Sequence, residues 1–360
     1  MAKDDSEHRE PRDVFGMAFA HAPAQHFARM AGSLAKSFAG RRVLITGGAG
    51  FIGSHLARRL VRLGARVTIV DSLIPEYGGN RRNLAGIERK VRLHISDVRD
   101  AHSLPQFVAG QHILFNLAGQ TSHLDSMTDP QTDLDINTRA QLSILEACRR
   151  HNPGIRIVFA STRQIYGRPD RVPVDEQHPL RPVDVNGINK LAGESYHLLY
   201  HEVHGIPTCV LRLTNTIGPG MRVKDARQTF LGVWLRCLVE GRPFEVWGGK
   251  QIRDFTYVSD AVEAFLLAAT SPAAIGQIFN LGGRERISLR DLANLLVELN
   301  GGGRYVTRAY PAARRQIDVG DFYADYGLIE RTLGWRPRVA LRTALARTLA
   351  YYRRELPHYR

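Results

Sequence analysis

The sequence predicts an α/β fold in which a doubly wound parallel sheet carries a smaller carboxyl-terminal lobe. From Arg42 onward, short continuous apolar runs alternate with segments of helical periodicity. A continuous apolar run is typical of a strand buried on both faces of a parallel sheet. The first run also leads directly into a glycine-rich turn, which is how such sheets often join their first strand to their first helix.

The predicted elements alternate regularly through the first half of the chain. The predicted strands are Val43–Ile45, Val67–Val70, Val91–Ile95, Ile113–Leu117, Ile155–Phe159, Cys209–Leu213 and Phe279–Leu281. The predicted helices are Phe51–Leu63, Asp133–Arg150, Asn186–His204, Gln228–Glu240, Leu289–Leu299, Gly327–Leu333 and Leu341–Arg353. This alternation favours strand–helix–strand units with the helices on both faces of one sheet.

Three regions are expected along the chain. Residues 1–38 are predicted to form a flexible leader, either with one weak amphipathic helix over 18–38 or as a disordered tail. Polar residues interrupt the apolar core that a signal peptide would need. Residues 39–214 are predicted to form the main domain, to which the chain returns near 253–283. Residues 215–360 are expected to form mainly a substrate-binding lobe at the carboxyl edge of the sheet, where ligands bind in such folds.

Composition excludes several classes of protein. Of 360 residues, 44% are hydrophobic and 23% are charged, which is typical of a globular protein. No uncharged apolar run is long enough to span a membrane. The three cysteines lack metal-ligand or redox spacing, so a reducing, cytoplasmic location and no metal site are expected. The net charge of +14 comes without a nucleic-acid-binding motif, so anionic small-molecule ligands are the expected partners.

The glycine-rich turn predicts a site for a dinucleotide. Gly47 allows a tight turn, Gly50 lets the backbone approach a diphosphate, and Gly53 lets helix and strand pack closely. Phe51 and Ile52 begin the following helix, whose free N–H groups face the phosphates.

Residues after the next strands extend this prediction. Asp71 ends the second strand, where a carboxylate accepts the adenosine ribose hydroxyls and repels a 2′-phosphate, so NAD is favoured over NADP. Asp97 and Val98 follow the third strand and are candidates to contact the adenine. Leu117 and Ala118 follow the fourth, beside small residues that let the backbone pass the cofactor.

A series of motifs over residues 41–351 resembles one family. The motifs are TGGAGFIGS (46–54), NLAG (116–119), STRQIYG (161–167), NGINKLAGE (186–194), LRLTNTIGPG (211–220), RDFTYVSD (253–260), NLGG (280–283) and LGWRP (333–337). In this order they resemble the extended short-chain dehydrogenase/reductase family, specifically its nucleotide-sugar epimerases and dehydratases. The resemblance implies NAD, a nucleotide-sugar substrate, and a homodimer paired through the helices at 133–150 and 186–204.

The resemblance also implies a catalytic Ser/Thr, Tyr and Lys, of which this chain lacks the Tyr. The Ser/Thr position is Thr162 and the Lys position is Lys190, while Asn186 stands where the family has Tyr. An amide does not titrate near neutral pH, so Asn186 cannot act as the general base. Tyr166 matches a family position that is assigned to packing.

Three replacements for the missing base remain open from the sequence. Lys190 is a candidate if burial lowers its pKa. Thr162 is a candidate to relay a proton through water. His123 is the third, because Ser122–Asp125 resembles a segment near the substrate in sugar-nucleotide dehydratases; a structural hydrogen-bonding role for this histidine is the competing interpretation.

Two further positions favour epimerisation over dehydration. The 4,6-dehydratases follow the Thr with two acidic residues, whereas here Arg163 and Gln164 follow it and neither exchanges a proton at neutral pH. We therefore expect an NAD-dependent epimerase that acts through a transient 4-keto sugar on a nucleotide sugar, which the resemblance implies is UDP-linked. The alternatives are a protein that binds NAD and the nucleotide sugar without redox turnover, and a 4,6-dehydratase.

Cationic side chains are expected around the substrate diphosphate, because guanidinium groups match phosphate geometry. By resemblance, Asn215 and Arg253 approach the diphosphate, Arg315 contacts phosphate and Asp318 contacts the nucleotide ribose. Arg222 and Lys224 are further candidates that follow the Gly218–Gly220 turn without an exact motif match.

Overall fold

The computed structural model describes residues 33–227, 229–311 and 317–360. Its strands are β1 (Arg42–Thr46), β2 (Arg66–Asp71), β3 (Val91–Ile95), β4 (Ile113–Asn116), β5 (Arg156–Thr162), β6 (Thr208–Leu213), β7 (Asn215–Ile217), β8 (Phe244–Trp247), β9 (Ile252–Tyr257), β10 (Ile278–Leu281), β11 (Arg286–Ser288) and β12 (Tyr305–Arg308). Its helices are α1 (Phe51–Arg62), α2 (Leu104–Val108), α3 (His123–Thr128), α4 (Pro130–Leu134), α5 (Ala140–His151), α6 (Val185–His204), α7 (Phe230–Val239), α8 (Val258–Thr270), α9 (Leu289–Asn300), α10 (Gly327–Leu333) and α11 (Leu341–Glu355).

Seven parallel strands form one sheet in the order β10-β6-β5-β4-β1-β2-β3. The order reverses beside β1, which pairs with β2 on one side and with β4 on the other. Such a reversal leaves a crevice at the carboxyl ends of the strands, where doubly wound sheets bind their ligands. The chain returns late to this sheet, since β10 pairs with β6. The predicted doubly wound fold is confirmed.

Helices cover both faces of the sheet. On one face, α1 and α8 bury Leu60 and Phe265 against Phe115 of β4. On the other, α5 buries Ile144 against Leu114, the next residue of the same strand. Burial of each such side chain stabilises the fold by about 1.5–3 kcal/mol. Because successive residues of β4 face opposite cores, the strand needs the continuous apolar run that predicts it.

A second core lies in the smaller lobe. It joins α7, α9 and α11 to β8 and β9 through buried side chains that include Trp234, Leu292 and Tyr352. Two small sheets, β11-β9-β7 and β12-β8, complete this lobe. Phe51, the first residue of α1, belongs to the same core. The lobe is therefore anchored directly beside the glycine-rich turn.

Part of the predicted leader is folded. Residues 33–38 are helical, and Leu34 and Phe38 are buried in the core that contains α1. Residues 1–32, which hold the rest of the predicted leader and most of its helix, lie outside the described residues. No helix among the described residues is long and apolar enough to cross a membrane.

The helix predicted over Asp133–Arg150 begins earlier and changes its winding. Asp129 caps α4 by accepting a hydrogen bond from the Thr132 N–H, with Pro130 at the first helical position. Residues Asp135–Arg139 then form a wider π-helical turn before α5. Such turns insert one residue and shift the side chains that follow, and apolar periodicity does not reveal them.

Candidate functional site

A cleft of about 730 Å³ opens at the carboxyl edge of the parallel sheet, between that edge and the smaller lobe. Its walls are formed by the residues that follow β1, β2, β4, β5 and β6 and by side chains of α7 and β8. The predicted site residues that line it are Gly47, Gly50, Phe51, Ile52, Gly53, Asp71, Asp97, Val98, Leu117, Ala118, His123, Thr162, Asn186, Lys190, Asn215, Arg253 and Asp318. Cofactor, catalytic and substrate candidates thus share one cavity.

The glycine-rich turn has no room for a side chain at its first and third glycines. A Cβ on Gly47 would lie 2.9 Å from the Ala118 backbone nitrogen, and the backbone there has a positive φ of 70°. A Cβ on Gly53 would lie 2.3 Å from the Gly47 carbonyl oxygen. The first and third glycines are therefore required by contacts between β1, β4 and α1, as the spacing predicts.

The amino end of α1 can receive an anion. Gly50 occupies the N-cap position and supplies no side-chain cap, and the first turn carries no acidic residue. The N–H groups of that turn and the positive end of the helix dipole therefore lie at the cleft without an acidic side chain from the helix itself.

Asp71, at the end of β2, hydrogen-bonds to the backbone of the glycine-rich turn. Its Oδ2 accepts a hydrogen bond from the Ala49 N–H at 2.9 Å, and its Oδ1 accepts one from the Leu73 N–H at 2.8 Å. Burial raises the pKa of Asp71, against the effect of these backbone hydrogen bonds. The Gly50 N–H is a third backbone donor to this carboxylate, which keeps one lone pair for a ribose hydroxyl.

Asp97 is held by a guanidinium at the same end of the cleft. Arg99 donates to both of its oxygens, at 3.0 and 2.6 Å, and this bond is the main reason that the pKa of Asp97 is lowered. Glycines that exclude a Cβ, a free helix amino end and two fixed carboxylates together fit a dinucleotide of the NAD type.

Lys190 lies deep in the cleft as a buried amine. Its Nζ sits 4.6 Å from the centroid of the Phe159 ring, and burial lowers the pKa of Lys190 to about 8. Asp133 and Glu194 oppose this shift through space. Both carboxylates are engaged elsewhere, Asp133 with two asparagines and Glu194 with Arg212 at 2.5 Å. A fraction of Lys190 is therefore the neutral amine at near-neutral pH.

Asn186 has a defined structural role beside Lys190. Its Nδ2 donates to the Gln120 carbonyl oxygen at 2.8 Å and to Asp133 Oδ2 at 3.0 Å. Asn189 donates to the other oxygen of Asp133 at 2.8 Å. Only 2% of Asn186 is exposed. The amide thus serves as a double donor that ties α6 to the buried carboxylate of α4.

The substitution Asn186→Asp is expected to destabilise the protein by about 3–5 kcal/mol at neutral pH. It replaces a double donor with a carboxylate that faces Asp133 and a carbonyl oxygen. The loss should shrink as the pH falls, because one shared proton restores a donor between the two carboxyl groups. Urea unfolding measures it, with Asn294→Asp on the exposed face of α9 as the matched control. Equal stability of the two variants would contradict this account.

Thr162 and His123 border the same region. Thr162 ends β5, and its Oγ1 accepts a hydrogen bond from the Gln164 N–H at 3.2 Å, which starts a short 3₁₀ turn over Arg163–Tyr166. His123 Nδ1 lies 3.0 Å from Asp184 Oδ2. Burial alone would raise the pKa of Asp184, but contacts with His123, Gly187 and Gln164 lower it overall.

Arg163 lines the cleft, although the sequence singles it out only as a missing acid. Its Nη1 is buried without a hydrogen-bond partner among the described residues, and the guanidinium stacks on Phe322 at 5.2 Å. Gln164 turns the other way and donates to Asp184 Oδ2 at 2.8 Å. Arg227, paired with Asp125 at 2.7 Å, is a second cleft-lining cation that the motifs do not reveal.

The residues predicted to lie around the diphosphate fall into two groups, those that line the cleft and those that do not. Arg253 is buried, donates to the Gly320 carbonyl oxygen and lies 3.3 Å from Asp318 Oδ1. Burial lowers the pKa of Arg253, whereas Asp318 opposes that change. Asn215 donates to the Asp254 carbonyl oxygen at 3.2 Å. All three predicted residues, Arg253, Asp318 and Asn215, reach the cleft.

Arg222 and Lys224 do not line this cleft. Arg222 pairs with Asp225 at 2.5 Å and donates to the Pro75 carbonyl oxygen. It borders a separate cavity of about 90 Å³ together with Lys224. The acidic residue three positions later holds the guanidinium away from the larger cleft, so the prediction for Arg222 is corrected. Arg315 lies outside the described residues.

Tyr166 lies in a buried network rather than on the cleft wall. Its hydroxyl donates to Asn280 Oδ1 and accepts from Arg212 Nη1, both at 2.7 Å. Burial raises the pKa of Tyr166 to about 12. A phenol held in this way does not replace the missing tyrosine at position 186.

Comparison with known proteins identifies the family of this chain. The model of the NAD dependent epimerase/dehydratase family matches residues 43–282. A putative UDP-glucose 4-epimerase of Methanocaldococcus jannaschii is 31% identical over 311 residues, which cover 85% of this chain and 97% of the relative. A dTDP-glucose 4,6-dehydratase of Actinoplanes is 31% identical over 327 residues, covering 87% of this chain and 98% of the relative.

A solved structure gives the same result at the level of the fold. The UDP-glucose 4-epimerase of Thermotoga maritima with UDP-glucose superposes with a TM-score of 0.80 and 29% identity, over 88% of this chain and 99% of that one. These findings confirm the resemblance and the prediction of NAD as cofactor. The protein belongs to the NAD dependent epimerase/dehydratase family.

Proposed function

We propose that the protein is an NAD-dependent 4-epimerase of a nucleotide sugar, with a UDP-sugar as the preferred class. The observation that carries this proposal is the pair of residues after Thr162. Arg163 is a cation and Gln164 is bound through its amide to Asp184. A 4,6-dehydration also needs proton transfer at C5 and at the departing C6 hydroxyl, which neither residue supplies. Epimerisation needs proton exchange only at the C4 oxygen.

The chemistry of the sugar defines what the protein must do. The glycine-rich turn and Asp71 would hold NAD, which would supply a reversible hydride acceptor for C4. As the C4–H bond breaks, the proton of the C4 hydroxyl passes to a base and a ketone forms. The keto sugar turns in the cleft, hydride returns to the opposite face, and the same base gives the proton back. Atoms and electrons balance without a further reactant.

Lys190 is the base in this proposal. Its burial, its place on the cleft wall and a pKa lowered to about 8 support this role, because the neutral amine accepts a proton at near-neutral pH. Thr162 binds the hydroxyl beside it. Asn186 holds Asp133, whose charge keeps the pKa of the lysine from falling further.

His123 is the second candidate for the base. The carboxylate of Asp184 lies 3.0 Å from its Nδ1, and a histidine beside a buried carboxylate is a common general base. The remaining candidate, a water relayed by Thr162, needs an acceptor, which either of these two side chains provides. Substitution of each side chain distinguishes them.

The diphosphate is assigned to the smaller lobe. Arg253 supplies the guanidinium, and Asn215 is placed beside the same stretch of backbone. Asp318, now paired with Arg253, is assigned to the nucleotide ribose. Arg315 is also assigned to phosphate on the resemblance alone.

We also propose a homodimer, which one exposed surface of α6 supports. Ile188, Leu199 and Val203 lie on this helix with 54%, 47% and 63% exposure, at intervals that place them along one side. Leu199→Glu with Val203→Glu is expected to convert the dimer to monomers in light scattering. A wild-type monomer, or an unchanged mass in the double variant, would contradict this assignment.

The proposed function is tested by following C4 of UDP- and dTDP-sugars by proton NMR. The expected result is inversion at C4 without loss of water or carbon dioxide. A 4-keto-6-deoxy product would instead establish the dehydratase alternative. Tight binding of NAD and nucleotide sugar without any product or reduced nicotinamide would favour the binding protein without turnover, for which the absence of a tyrosine at Asn186 is the supporting observation.

A further inference from the structure

Arg163 occupies the sugar side of the cleft. It directly follows Thr162, opens the 3₁₀ turn over residues 163–166, and lines the cavity together with Lys190 and Asn186. The diphosphate is assigned to Arg253 on the smaller lobe. A guanidinium beside Thr162 is therefore placed to meet the sugar itself.

This guanidinium has no hydrogen-bonded anion among the described residues. Its Nη1 is buried and unpartnered, and its close neighbour is the face of the Phe322 ring. Burial lowers the pKa of Arg163 to about 10, and the positive charge of Arg253 adds to this effect. The side chain therefore stays charged at neutral pH in a poorly solvated place. An unpaired buried charge is costly, and an incoming anion removes that cost.

The carboxylates near Arg163 do not hydrogen-bond to it, and most of their oxygens accept from other donors. Asp254, Asp318 and Asp184 attract it through space. Asp254 Oδ2 accepts from the Gly283 and Ala324 N–H groups, at 2.9 and 3.3 Å, whereas its Oδ1 is buried without a hydrogen-bond partner among the described residues. Asp318 pairs with Arg253, and Asp184 accepts from Gln164 and from the Gly187 N–H. None of the three supplies a hydrogen bond to Arg163.

We propose that Arg163 binds a carboxylate on the sugar, so that the preferred substrate is a nucleotide-linked hexuronic acid. This inference rests on the proposed epimerase function and names its substrate class. The planar guanidinium matches a carboxylate through two parallel hydrogen bonds, whereas the hydroxymethyl group of a neutral hexose offers it one uncharged oxygen. The C6 carboxylate is one carbon removed from C4 through C5, which suits a cation that follows Thr162.

The same contact opposes decarboxylation. After oxidation at C4, the carboxylate lies β to a ketone, and loss of carbon dioxide would pass the electron pair of the C5–C6 bond into that ketone. A guanidinium that holds the carboxylate charge stabilises the state before this step and raises its barrier. The product is therefore the C4 epimer with its carboxylate retained.

Calorimetry with UDP-glucuronate and UDP-glucose tests the inference on the NAD-bound protein. The wild type is expected to bind UDP-glucuronate about 100-fold more tightly, because hydrogen bonds between two charged groups are stronger than those to a neutral hydroxyl. Arg163→Gln should remove most of this ratio and Arg163→Lys should retain part of it. Arg227→Gln, which removes the same charge from the same cleft, should leave the ratio unchanged.

The outcomes separate this inference from the proposed function. Equal affinity for both ligands in the wild type, or an undiminished ratio in Arg163→Gln, overturns the carboxylate site even if epimerisation occurs. A ratio that depends on Arg163 without any inversion at C4 overturns the epimerase and keeps the site. A UDP-pentose product contradicts carboxylate retention. If Arg163→Gln fails to fold, the affinity ratios of the wild type and of Arg163→Lys show whether the carboxylate site exists.

Discussion

Replacing Lys190 with Met is expected to slow hydride transfer by about a thousandfold, which is within the usual range for loss of a general base. The apolar side chain fills a site against Phe159 where burial already disfavours the charged amine. The folded variant should therefore be at least as stable as the wild type at neutral pH. Single-turnover formation of reduced nicotinamide measures the rate, and thermal unfolding checks the fold.

His123→Ala is the comparison for this experiment. It should retain most of the hydride transfer if Lys190 is the base. A large loss in His123→Ala together with a small loss in Lys190→Met would place the proton on His123 and contradict the assignment.

The dependence on pH follows from the lowered pKa of Lys190. Only the neutral amine accepts a proton, so kcat/KM should rise about tenfold per pH unit below a pKa of about 8 and level off above it. Lys190→Arg keeps the charge without a neutral form near this pH, so its activity should be low and without this rise. A wild-type profile that stays flat across this interval would contradict a lysine base.

Gly53→Ala is expected to destabilise the protein by about 3 kcal/mol and to abolish NAD binding. A Cβ at this position would lie 2.3 Å from the Gly47 carbonyl oxygen and 2.8 Å from the Gly48 Cα, so the backbone of the turn must move. Thermal unfolding and calorimetry with NAD measure the two effects.

Gly50→Ala provides the matched control in the same motif. Its nearest contact for a Cβ would be 3.2 Å, again to the Gly47 oxygen, so the fold should be retained while the methyl group weakens dinucleotide binding. Normal stability and normal NAD affinity in Gly53→Ala would contradict the role given to the turn.

The sequence predicts those features of the fold that depend on residues close together in the chain or on adjacent strands. The continuous apolar run of β4 predicts a buried strand because Leu114 and Phe115 face opposite cores. The spacing of Gly47, Gly50 and Gly53 predicts the turn because a Cβ on each glycine would come close to backbone atoms nearby in the chain or after the neighbouring strand. The loss of a titrating group at Asn186 is also evident from the sequence.

Long-range partners account for what the sequence does not predict. Asn186 reaches Asp133, 53 positions away, so the amide's structural role appears only once α4 and α6 are packed. The sequence shows that Arg163 stands where the dehydratases have an acidic residue. It does not show that Arg163 lacks a hydrogen-bond partner, because that depends on the hydrogen bonds that Asp254 and Asp318 make to other groups. The position of Arg222 could have been predicted from nearby sequence, because Asp225 lies three residues later and forms an ion pair with its guanidinium.

The fate of deuterium placed at C4 of the nucleotide sugar tests the central claim most directly. The protein is incubated in ordinary water with C4-deuterated UDP-glucuronate and, separately, UDP-glucose, and the products are examined by deuterium NMR. Because hydride leaves C4 and returns to the opposite face of the same carbon, we expect the label at C4 of the inverted sugar. A label transferred to a C6 methyl group, or an uninverted substrate at full occupancy of both sites, would contradict it.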